Sequence, residues 1–148
     1  YLNGTPRAIG KAGDGRIKTV LPWHVNIAGD PLTPFALRFR KRYNEELDSL
    51  PAKIALEMWI AAVESAGTLD PLKVALALEN MRHLGPTGEV WMRADDHQLQ
   101  LPLYIATFTK VGGEVKYDLE NTGHGFRTDT RIEAMDTTLP TTCRMERP

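Results

Sequence analysis

The chain has 148 residues, enough for one ordinary hydrophobic core, and its 18 basic and 19 acidic side chains leave a net charge of −1. That balance argues against a nucleic-acid or polyanion binder. No apolar run approaches the ~20 residues of a membrane-spanning helix, and none opens the chain as a signal peptide does. The chain starts at Tyr1 with no initiator Met, so the missing leader is uninformative.

Residues 4–16 (GTPRAIGKAGDGR) are glycine-rich and predict a loop with one short helical turn at Pro6–Lys11. Ile17-Lys18-Thr19-Val20-Leu21 is β-rich and reads as a strand stopped by Pro22. A helix follows Asp30-Pro31-Leu32-Thr33, with Thr33 as N-cap and Pro34 in the first helical position. Phe35, Phe39 and Tyr43 give it an apolar i, i+4 ridge. Arg38, Arg40, Lys41 and Arg42 read as its solvated face rather than a phosphate site.

Ser49 can cap the next helix, with Pro51 in its first turn. Ile54, Met58 and Ala62, beside Ala55, Trp59 and Val63, form a broad apolar stripe, and Gly67 supplies the left-handed residue that ends it. Met58 and Trp59 belong to core packing rather than to a cofactor box. Asp70 and Pro71 start a third helix, carried by Leu72, Ala75, Leu76 and Leu78 to about Met81. After the turn Gly85-Pro86-Thr87-Gly88 the period changes: 89–92 is a short strand and 101–109 a longer one, with Pro102 at its start or on an edge. Gly112-Gly113 predicts a hairpin turn with 114–119 as the return strand, 126–134 a last extended segment, and 136–148 an irregular tail. The elements add up to an α/β chain.

Asp95, Asp96 and His97 could in principle ligate a divalent cation, but three adjacent residues rarely converge on one ion and no second cluster completes a shell. The better reading has Asp95 and His97 hydrogen-bonding backbone at a turn. Cys143 with His124 is the only Cys/His pair that could suggest nucleophilic catalysis, and Cys143 lies in a tail without the helix N-terminus that activates a thiol. No phosphate loop, dinucleotide fingerprint or kinase signature is present. The chain therefore reads as a non-enzyme needing neither metal nor cofactor. As a single cysteine, Cys143 either pairs outside this chain or stays an inert thiol, and both readings remain open.

Met92-Arg93-Ala94-Asp95-Asp96-His97-Gln98-Leu99 gathers these pieces into a pattern. It follows the helix end Ala61-Ala62-Val63-Glu64-Ser65-Ala66-Gly67, the helix start Asp70-Pro71 and the turn Gly85-Pro86-Thr87-Gly88. In that order the chain resembles the C-terminal half of a type I periplasmic solute-binding protein, the branched-chain-amino-acid-like receptors of bacterial ABC importers. The likeness runs from about Lys11 to Pro148 and is most specific over 61–98.

The resemblance implies a two-lobed fold that is incomplete in this chain. Residues 1–20 would be a second-lobe segment and 21–98 a first-lobe segment with three helices, entered and left by crossovers near Leu21–His24 and Asp95–Leu99. Residues 99–148 would return to the second lobe as a hairpin and tail. Neither core would then close without the N-terminal half of the same protein.

The resemblance also implies a role: the extracytoplasmic, periplasmic substrate-binding component of an importer, delivering a small amino acid or carboxylic acid to the membrane permease. A sensory or regulatory ligand-binding domain of the same fold is the alternative. Aligning Lys11-Ala12-Gly13-Asp14 with the family's x-A-G-D/E places Tyr1, Leu2 and Asn3 in a loop facing the ligand cleft, since open α/β sheets bind at strand carboxyl ends. Amino-acid receptors carry an acidic residue there, whereas Tyr1 has no charge to pair with an ammonium group, which leaves room for an aromatic acid. That Tyr1 is merely the first residue of a partial chain stays equally open. Trp23 and His24, just past a strand end, either contact ligand or pack at the hinge. Ser49 either binds a ligand carboxylate at a helix N-terminus or simply caps that helix.

Overall fold

Gly4, at φ +86°, turns the chain into its first helix in a conformation that only a residue without Cβ adopts freely. In the computed structural model, which describes residues 4–47, 50–143 and 145, the elements then follow in order. They are α1 (Thr5–Ile9), a 3₁₀ turn (Gly10–Gly13), β1 (Ile17–Leu21), α2 (Thr33–Tyr43), α3 (Leu50–Ala66) and α4 (Pro71–Leu78). After these come β2 (Arg82–Gly85), β3 (Gly88–Met92), β4 (Leu99–Gln100), β5 (Leu103–Lys110), β6 (His124–Ile132) and a 3₁₀ turn at Ala134–Thr137. The contacts divide the chain into two compact units, one of 1–49 with 103–132, the other of 50–102 with 133–148.

The first unit holds an antiparallel sheet in the order β1-β5-β6. β1 alternates toward and away from solvent, as a half-buried strand should. Leu21, Val25, Ala36, Ala106, Phe108, Leu119 and Phe126 form its core. The second unit holds the antiparallel sheet β2-β3-β4. There Ile54, Met58 and Ala62, one i, i+4 row of α3, are fully buried, as is Val90 of β3. Ile54 lies over the β2–β3 turn, where a Cβ added to Gly85 would come within 3.5 Å of its side chain.

Most local signals hold. Gly67 ends α3 at φ +62°, and the Asp70 carboxylate accepts the Lys73 N–H at 3.0 Å to cap α4. Thr33 is not a cap: its hydroxyl donates to the Val25 carbonyl at 3.1 Å, and the Asp30 carboxylate takes the Leu32 N–H instead. α4 stops at Leu78, short of Met81, because Asn80 turns left-handed at φ +58° and its N–H joins the Met92 carbonyl. That turn launches β2, a strand its Arg82-His83-Leu84-Gly85 sequence does not announce.

The return strand of the hairpin is β6, not 114–119. The Asn26 side chain accepts the Lys116 and Tyr117 N–H groups at 2.9 and 2.8 Å and donates to the Tyr117 carbonyl, occupying groups a ladder would need. Arg40 does not belong to a solvated face; it pairs with Asp118 at 3.0 Å and Glu46 at 3.3 Å.

By contact the chain divides at 49/50, 102/103 and 132/133. Residues 21–49 group with 103–132 because Leu21 pairs with Tyr104, and Leu21, Val25 and Ala36 share a core with Ala106 and Phe108. The segment after 132 groups with α3 and α4: Arg93 donates to the Leu139 carbonyl, and Thr138 to Gln100.

Candidate functional site

In the first unit, the loop after β1 carries Trp23 and His24. His24 is buried, with Nε2 2.9 Å from the Thr128 hydroxyl and its ring edge-on to Tyr104 and Phe126 at 6.1 and 6.2 Å. Burial pushes its pKa down to about 4, so the imidazole is neutral, and Nδ1 has no hydrogen-bond partner. Trp23 donates its indole N–H to the Asp30 carboxylate.

Beside them opens a cavity of about 560 Å³, walled by residues 25–30, Thr33, Pro34, Gly113, Glu114, Lys116, Tyr117, Arg127 and Thr128. Neither Trp23 nor His24 lines it; the groups they hold, Asp30 and Thr128, do. Cationic Lys116 and Arg127 and anionic Asp30 and Glu114 offer a ligand charges of both signs. Arg127 is steadied by Asp129, at 3.1 Å, which also accepts the Thr107 hydroxyl and the Lys18 ammonium. The Thr107 hydrogen bond first, then the two cations, hold the Asp129 carboxyl well below the usual carboxylate range. Asp129 can do this because the β5–β6 register shifts between Ile105 and Ala106 and leaves it unpaired in the ladder.

Tyr1, Leu2, Asn3 and Ser49 lie outside the described residues. What adjoins the first three is described: the Gly4 and Arg7 N–H groups both donate to the Glu120 carboxylate, the second at 3.0 Å. Sequence reasoning passed over Glu120, since nothing local connects it to residues more than a hundred positions away.

In the second unit, the Asp95-Asp96-His97 segment is a turn, but Asp96 rather than Asp95 makes its bonds. Arg93 grips both Asp96 oxygens, one at 2.8 Å, and reaches the Gln98 side chain at 2.9 Å. Asp96 also accepts the Gln98 N–H, and the Arg93 hydrogen bonds hold its carboxyl far below the ordinary range. His97, left-handed at φ +53°, faces Glu79 at 3.3 Å. Among the described residues no three His, Cys, Asp or Glu side chains gather as metal ligands do. Cys143 is exposed. His124, its other half in the formal catalytic pair, is a core residue stacked on Phe108 at 5.4 Å, with Nδ1 3.0 Å from the Thr122 carbonyl.

Comparison with known proteins gives a consistent result. A family model described as "Periplasmic binding protein" matches residues 2–113. The Leu/Ile/Val-binding protein homolog 4 of Brucella abortus is 28% identical over 97% of this chain, which spans 36% of that protein's length. The closed crystal structure of a leucine-, isoleucine-, valine-, threonine- and alanine-binding protein from Brucella ovis superposes with a TM-score of 0.85 at 22% identity, over 99% of this chain and 39% of that one. A solute-binding protein of an ABC transporter from Rhodopseudomonas palustris, solved with 3,4-dihydroxybenzoic acid, gives 0.67 at 15% identity, over 84% of this chain and 32% of that one.

Proposed function

This chain belongs to the periplasmic binding protein family, and from that premise we propose that it is part of the extracytoplasmic substrate-binding component of an ABC importer. The whole protein would take a small amino acid or carboxylic acid, aromatic acids included, into a cleft between two lobes. Its occupied form would be read by the membrane permease. The family match across residues 2–113 supports this reading above all else.

The physical logic is a population shift. A ligand favours the closed state only by its differential affinity, and in a two-lobed receptor that difference arises because closure brings the second lobe against a ligand already held by the first. No bond is made or broken, so the residues that matter are those that orient and desolvate the ligand.

Within this reading Tyr1 narrows the ligand. Where relatives would place an acidic partner for an α-ammonium group, a phenol leaves that cation unpaired, and burying it costs several kcal/mol. Acids without an α-amino group should therefore bind better than leucine-like amino acids. The bound 3,4-dihydroxybenzoic acid of the Rhodopseudomonas neighbour agrees with this preference. The Leu/Ile/Val name of the Brucella relative favours the amino acids.

A thermal-shift panel on the whole protein tests both levels. A true ligand at 100 times its Kd adds about 2.7 kcal/mol of stability. Hydroxybenzoates are expected to stabilise and leucine, isoleucine and valine to do little. The reverse ranking would overturn the ligand preference, and no response to any acid or amino acid would overturn the binding role.

A further inference from the structure

We propose that the cavity of the first unit is a binding site for a small zwitterion with an apolar body, such as a free aliphatic amino acid. Every residue that walls it belongs to that unit, so a ligand here needs no second lobe. The site therefore goes beyond a cleft between lobes.

The walls are held by bonds that leave several charges free. The Asn26 amide is spent on the 116–117 backbone, accepting two N–H groups and donating to the Tyr117 carbonyl. Gly125 lies against that junction: a Cβ there would come within 2.5 Å of the Tyr117 carbonyl oxygen and 2.9 Å of the Asn26 amide nitrogen. Only a residue without a side chain lets the turn approach β6 so closely. Val115 is buried and bridged to Gly112, which anchors the turn. Asp30 is fixed by the Leu32 N–H and the Trp23 indole.

Glu114 and Lys116 flank the Val115 anchor and both line the cavity. They lie two residues apart with opposite charges, yet neither forms an ion pair with the other or with any described residue. Arg127 gives one guanidinium N–H to Asp129 at 3.1 Å, but that carboxylate also answers the Lys18 ammonium. One negative charge is thus divided between two cations, and Arg127 keeps donors for a second carboxylate. Val25, Ile27, Ala28 and Pro34 add an apolar wall.

A volume of about 560 Å³ is that of a small-molecule site, in which apolar walls surround a few placed polar groups. Lys116 and Arg127 suit the carboxylate of a zwitterion, Glu114 its ammonium, and the apolar wall its side chain. A plain anion would face Glu114 with like charge, and a plain cation would face Lys116 and Arg127.

The test titrates the isotope-labelled whole protein at low ionic strength and follows the amide signals of Ala28, Gly29 and Gly113. The probes are leucine, isocaproate (leucine without its ammonium) and isoamylamine (leucine without its carboxylate). Signals local to the cavity separate it from binding elsewhere in the protein. Leucine is expected to shift them saturably, and each analogue only at severalfold higher concentration. Glu114→Gln and Lys116→Gln change exposed side chains, so neither threatens the fold. Each should raise the leucine midpoint about fivefold, the worth of one partly exposed charge pair. No saturable shift with leucine, an analogue midpoint equal to that of leucine, or a midpoint unmoved in either variant would overturn the proposal.

Discussion

The unit built on β1, β5 and β6 covers most of its apolar residues, whereas the unit built on α3 and α4 does not. In the first, Leu21, Ala106, Phe108 and Phe126 are enclosed by one sheet and one helix, and even the outward Phe39 and Tyr43 rings of α2 pack on each other at 4.8 Å. In the second, one row of α3 is fully buried while Leu56, Trp59 and Ile60 are about half exposed, as are Leu72 and Leu76 on α4. Leu84 on β2 is 80% exposed. A helix that is apolar on more than one side normally has neighbours on more than one side, and a bare patch of this kind marks an interaction surface. The two units thus differ in how much apolar surface they leave uncovered.

The largest expected effect is on the chain alone. Each large apolar side chain left in water forgoes about 1.5–3 kcal/mol of burial, so the second unit should be marginal by itself. Scattering and chemical denaturation should find the isolated chain aggregated, exchanged between copies or partly unfolded. A compact monomer with a single cooperative transition would break the comparison.

Next in size are two core-scale substitutions measured by urea denaturation of the whole protein. Phe108→Ala, in a fully enclosed site, should cost about 3–5 kcal/mol. Trp59→Ala should approach the same cost although its side chain is 48% exposed in this chain, because the whole protein would cover it. A change within about 0.5 kcal/mol, as for an ordinary surface residue, would show that the α3 face stays bare.

The third effect is confined to the first unit and is set by pH. His24 has its folded pKa pushed from 6.5 to about 4, so the unfolded state binds its proton first as the pH falls. Stability is therefore complete above 6.5, declines as pH falls towards 4, and is lower by about 3 kcal/mol below that. The depressed carboxyls, Asp129 in the same unit and Asp96 in the other, lose their contributions only as pH falls below the ordinary carboxylate range. Denaturation midpoints between pH 7 and 4.5 should thus fall in the wild type and stay flatter in His24→Gln. Parallel curves would remove His24 as the cause.

The smallest effect contrasts two arginines of the second unit. Arg82 and Glu89 are more than half exposed, and Arg82→Ala should cost under about 1 kcal/mol. Arg93, with Asp96, Gln98 and the Leu139 carbonyl around it, should cost more when replaced by alanine and should loosen the tail. Hydrogen exchange at the Gln98 N–H reads the difference, and equal protection in both variants would deny Arg93 its role.

Amino-acid order alone determined the features whose physics acts within a few residues. The alternation of Ile17–Leu21, the buried row Ile54, Met58 and Ala62, the Asp70 cap and the left-handed Gly67 all follow from periodicity and capping across one or two turns. The family likeness, carried by the order of such local pieces, was legible for the same reason. Tertiary structure decided the rest. Asn26 cancels the strand expected at 114–119 from 90 residues away, and Thr33 gives up its cap to the Val25 carbonyl. Residues 21–49 join the β5–β6 hairpin through strand pairing that no local pattern encodes. The site divides along the same line. Trp23 and His24 could be picked out as a polar-aromatic pair past a strand end, but the Trp23 bond to Asp30 and the burial of His24 against Thr128 could not. Nor could Glu120 be found before the fold brought it to Gly4 and Arg7. A hydrogen bond needs its partners within about 3 Å, and only the folded chain sets distances between residues so far apart in sequence.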